Sequence, residues 1–160
     1  MVPIIATVGV FSTACGRLML MIHLLTAVFA LGAVTHHWWV LVRRKGSPFL
    51  ALYAKWMAIG YSLSWLFGVV IYPSYNVLVR KPPIGILEAI SKRAVGFFEI
   101  KEHFGTFALV MLPWLVLSAR HLGELTPLER RSYVVATWVF TFFVYYSFVT
   151  GGVVTAIESF

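Results

Sequence analysis

A chain of 160 residues that is 60% hydrophobic and only 12% charged is far too apolar for an ordinary soluble domain, where about 25% of residues carry charge. Its formal charge of +7 would suggest nucleic acid in a soluble protein. Here the basic residues sit in short groups between apolar runs, as headgroup-facing residues do, so no nucleic-acid partner is expected. Cys15 stands alone, which excludes an internal disulfide and the paired cysteines of a covalently attached haem.

Met1 to Ala14 is apolar but lacks the basic start of a secretory signal, and is expected to be a retained tail lying at the membrane interface or leading into the first helix. Four segments then reach the roughly 20 apolar residues needed to cross a hydrocarbon core. They cover residues 17–42, 50–78, 94–119 and 133–157. The first stops at Arg43-Arg44-Lys45, and the second carries Lys55 near its start and Pro73 near its end. Residues 84–93 read as a short interfacial helix, with Leu87 and Ile90 opposed to Glu88, Lys92 and Arg93. Glu124 to Arg131 reads as a polar connection before the fourth span.

Short connections between long apolar segments predict one all-α domain over residues 1–160, an integral membrane four-helix bundle running up-down-up-down. The basic residues are nearly balanced between the two ends. The compact Arg43-Arg44-Lys45 group favours a cytoplasmic first connection, as in a bacterial inner membrane.

The third span opens on Phe97-Phe98-Glu99-Ile100-Lys101-Glu102-His103-Phe104-Gly105. Ionisable groups in such a helix are costly and usually face a bundle interior or a partner. Glu99, Glu102 and His103 share one helical face, continued by Thr106, and that face is expected to turn inward. Lys101 is expected to point away, toward lipid headgroups.

His23 and His103 lie at similar depth in the first and third spans, which run parallel. Two neutral imidazoles at one level are what a low-spin haem b needs as axial ligands. On the same side, Arg17, Arg80 and Lys81 with Tyr72 and Tyr75 are candidates to hold its propionates. His37 follows His23 by 14 positions, about 40° short of four full turns and about 21 Å along the helix, with Ala27, Ala30 and Val34 between them. In the second span Tyr61, Ser64, Gly68, Tyr72 and Tyr75 fall on one stripe that a neighbouring helix or flat cofactor can approach.

Helical histidines spaced in this way resemble the ligand helices of bis-haem membrane cytochromes b. The resemblance covers the first span and the start of the third. It implies a haem b held by His23 and His103, with His37 a candidate for a second haem-facing position. The third span departs from the pattern, since Leu117 stands 14 positions after His103 and the next histidine is His121. One haem therefore finds ligands; a second would need His121 to pair with His36 or His37, which requires the third span to continue or to bend at Pro113.

The expected function is a membrane electron-transfer subunit of cytochrome b type, an electron carrier rather than a stand-alone enzyme. Its expected partners are the bilayer, a larger membrane redox complex, and a quinone or cytochrome c. Two other readings compete. The chain fits a non-catalytic accessory subunit of a respiratory or photosynthetic complex. A metal-handling protein, with His23, His103 and Glu99 around one ion, has an incomplete ligand set. His36 and His121 read as interfacial residues.

Overall fold

The protein is described here by a computed structural model covering residues 14–43, 48–76, 80, 88 and 91–158. Four helices make up nearly all of it: α1 (Ala14–Arg43), α2 (Phe49–Tyr75), α3 (Lys92–Arg120) and α4 (Pro127–Glu158). Each is long and apolar enough to cross a membrane. They pack in a ring in which α2 contacts α1 and α3, and α4 contacts α3 and α1. The two parallel helices α1 and α3 therefore face each other across the diagonal.

Inward stripes at helical spacing build the core. Ala30, Val34, His37 and Leu41 come from α1, and Leu50, Ala54, Met57 and Tyr61 from α2. Ala108, Leu112 and Leu115 of α3 are buried in the same core cluster as Tyr133, Phe140 and Val144 of α4. The α1–α2 crossing is very close at Gly60, where a Cβ would stand 2.6 Å from the Phe29 ring and 3.3 Å from the Ala30 backbone. Small residues at a crossing let two backbones approach, a common means of packing apolar helices. The outer surface carries Leu24, Leu25, Phe107, Leu117 and Val110, the last 72% exposed. A surface this apolar is foreign to soluble monomers.

The helix starts are set by local chemistry. At α3, the Ser91 side chain accepts from the Ala94 backbone N–H at 3.2 Å. At α4, Thr126 and Glu129 form a reciprocal capping box. The Glu129 N–H donates to the Thr126 hydroxyl at 3.3 Å, and the Thr126 N–H donates to Glu129 Oε2 at 2.8 Å. Pro127 occupies the first helical position, where its missing N–H costs nothing. The helix thus begins at Pro127 and not at residue 133, so the second half of the expected polar connection is helical. Lys92 and Arg93 belong to α3. Most of the expected interfacial helix lies outside the described residues.

Candidate functional site

Polar groups concentrate at the end of the bundle where α1 and α3 begin and α2 and α4 finish. The apolar cluster there is small: Ala94, Val95 and Val154, flanked by Tyr75 and Phe98. His23 stands nine residues into α1 and Lys101 nine residues into α3, at matching depths of about 13 Å from the helix starts.

His23 is half-buried against α2. Its Nδ1 lies 2.9 Å from the Ser64 carbonyl oxygen. A carbonyl only accepts, so Nδ1 carries the proton and Nε2 keeps its lone pair. Gly68 makes this approach possible, because a Cβ there would lie 3.2 Å from the imidazole Cε1. The stripe expected along α2 is present: Tyr61 and Ser64 are buried, and Tyr75 stacks on Phe98 at 4.5 Å.

Lys101 faces inward, contrary to its expected position among the headgroups. Its ammonium lies 4.9 Å from the centre of the Phe98 ring and beside Gly151 of α4. Both His23 and Glu102 lie within its electrostatic reach. The reason is packing: Lys101 shares a stripe with Gly105, Ala108 and Leu112, which are buried. Four and seven residues before Gly105 and Ala108, it has no other way to point.

The expected inward face of α3 is correspondingly turned out. Glu99, His103 and Thr106 are exposed, and only Glu102 is half-buried. The His103 Nδ1–H donates to the Glu99 carbonyl of its own helix at 2.8 Å, and Thr106 donates to the Glu102 carbonyl at 3.2 Å. His103 is two residues, about 200° around the helix, from Lys101. The packing therefore does not bring the His23 and His103 imidazoles to one point.

Arg80 gathers the acidic groups. Its Nε donates to Glu88 at 3.1 Å and its terminal nitrogen donates to Glu99. Burial works against its charge, but the hydrogen bonds to Glu88 and Glu99 outweigh that and raise its pKa above the ordinary arginine value. Glu102 faces Tyr72 and feels the Arg80 and Lys101 charges. A connected set of ionisable groups thus runs from His23 and Lys101, through Glu102 and Tyr72, to Arg80 and exposed Glu99. Arg17 is exposed.

His37 has a different setting at the other end. It is 0% exposed, and its Nε2 lies 2.8 Å from the Tyr133 hydroxyl of α4. That nitrogen is engaged, which leaves it unsuited to bind iron as packed. His36 is exposed, donates to the Gly32 carbonyl at 2.8 Å and stacks on Tyr53. His121 caps the end of α3 and pairs with Glu124 at 3.2 Å. Both are exposed.

The donor chemistry of His23 fits a haem or metal, because ligating imidazoles characteristically donate their other N–H to a carbonyl. His103 has the same tautomer but the wrong face. Among the described residues, no three histidine, cysteine or acidic side chains gather in a way that could hold a metal ion. The missed member of the site is Lys101, which the backward extension of the α3 apolar stripe would have found. Compared with known protein families, curated proteins and solved structures, the chain matches none.

Proposed function

We propose that this chain is an integral membrane electron-transfer subunit of cytochrome b type, with the site around His23 as its working end. The observation that carries the reading is the His23 imidazole, locked by the Ser64 carbonyl with Nε2 available and flanked by Lys101. His23 would hold a haem b, which when bound supplies reversible one-electron chemistry. The Ser64 carbonyl would orient the ligand and raise its basicity. Lys101 would stand beside it as an ionisable amine, and Glu102 with Tyr72 would exchange protons toward the surface. A quinone, whose reduction takes up protons with electrons, suits such a set of donors and carboxylates. A cytochrome c or a larger redox complex would complete the electron path. The long apolar helices support the membrane setting. The Arg43-Arg44-Lys45 group supports a cytoplasmic α1–α2 connection in a bacterial inner membrane.

The test is a reduced-minus-oxidised absorption spectrum of the purified protein, with a pyridine haemochrome assay. One b-type haem per chain is expected. A correctly inserted protein that stays colourless after haem supplementation would overturn the cytochrome reading and favour an accessory subunit.

A further inference from the structure

Away from the His23 site, a groove of about 550 Å³ runs between α2 and α3 near the opposite end of the bundle. Its walls are Ala58 and Ser62 from α2, and Leu109, Leu112, Pro113 and Val116 from α3, with Arg120 at its end. That size falls within the roughly 300–1,000 Å³ of small-molecule sites. The lining is almost wholly apolar, and Arg120 supplies its charge.

Arg120 occupies the last turn of α3, on the same helical face as Leu109, Pro113 and Val116. Lys55 precedes Ala58 by three residues and Ser62 by seven, so it continues the α2 wall toward the same end. Both cations are exposed. Neither makes an ion pair with an acidic group among the described residues. Arg120 at the end of an apolar interhelical groove, with Lys55 one turn before Ala58 on the same α2 face and neither paired with an acidic group among the described residues, matches the headgroup and chain of one kind of molecule. Basic pockets between membrane helices commonly take anionic phospholipids in this way.

We propose that this groove binds an anionic phospholipid, with an acyl chain along Ala58, Leu112 and Val116 and the phosphate against Arg120 and Lys55. The inference rests on the membrane setting proposed above and is independent of any haem. Lys55 starts deeper than Arg120, and its long stem lets the ammonium snorkel toward the interface. Ser62 gives the groove a single hydroxyl along its otherwise apolar wall.

The test uses the full chain purified in mild detergent, exposed to equal amounts of phosphatidylglycerol and phosphatidylcholine, with bound lipid counted by native mass spectrometry. Phosphatidylglycerol is expected to be retained preferentially. Arg120→Gln and Lys55→Gln should each lower that preference by about fivefold, the effect of one basic residue at an anionic surface. Ala58→Phe, which fills the groove and leaves both cations in place, should also reduce retention. Free glycerol phosphate should not displace the lipid. Equal retention of the two lipids, or an unchanged preference in the Arg120→Gln/Lys55→Gln double variant, would overturn the proposal. So would displacement by glycerol phosphate, which would indicate a headgroup site without a chain. A separate carbonate wash of native membranes reads the membrane setting itself. Release of the chain there would remove the basis of both proposals, whereas retention with no lipid preference would overturn this one alone.

Discussion

The His37 Nε2 and the Tyr133 hydroxyl meet at 2.8 Å, joining α1 to α4 in a region where both side chains are fully buried. Tyr133 packs its ring edge-on against the imidazole, with centroids 6.0 Å apart. Removing the hydroxyl strands a buried nitrogen, so Tyr133→Phe should cost about 1–3 kcal/mol. His37→Leu combined with Tyr133→Phe should cost less than the two single losses added together, because the polar group left behind is gone. Reversible unfolding in mixed micelles measures all three variants.

Gly60 and Gly32 make a matched pair for testing the α1–α2 crossing. A methyl group at Gly60 would stand 2.6 Å from the Phe29 ring, whereas one at Gly32 meets nothing within 4 Å. Gly60→Ala should therefore destabilise by about 1–3 kcal/mol through overpacking. Gly32→Ala should be neutral, or stabilise by up to about 1 kcal/mol through helix propensity. The same unfolding measurement separates them.

Arg80 ties Glu88 to Glu99. Its pKa is raised in the folded protein, so while its carboxylate partners are ionised its contribution is fully present below the ordinary arginine value. It is lost only as pH rises through the raised value. Arg80→Gln should cost no more than about 1 kcal/mol at low salt, because both carboxylates are partly exposed. The difference from the parent should shrink with added salt. Thermal unfolding over a salt series reads this directly.

The facing of α3 can be tested without any cofactor. In a Cys15→Ser background of the detergent-solubilised protein, His103→Cys should react faster than Lys101→Cys with a small apolar maleimide. The reverse order would mean that the helix presents its other face to the bundle.

Much of this architecture is legible in the sequence, and the unread parts have identifiable physical causes. Four long apolar helices follow from length and hydropathy, and the α2 stripe from Tyr61 to Tyr75 follows from helical spacing. The start of α4 was obscured by the charges of Glu129, Arg130 and Arg131, although Thr126-Pro127-Leu128-Glu129 is a complete start signal. The facing of α3 was harder to read. Clustered carboxylates and a histidine suggested an inward polar face, but burial of Gly105, Ala108 and Leu112 decides the rotation and carries Lys101 inward. Charge at a helix start competes with packing along its whole length, and packing involves more residues. The joining of His37 to Tyr133 depends on a partner 96 positions away, which periodicity within one helix cannot reveal.

The most direct test of the proposed function is the haem content of two variants compared with the parent protein, His23→Ala and His103→Ala. The account expects His23→Ala to lose the b-type spectrum and His103→Ala to keep it, since His103 lies on the outer face. Full haem in His23→Ala would contradict the assignment of His23 as ligand and, with it, the working end of the bundle proposed here.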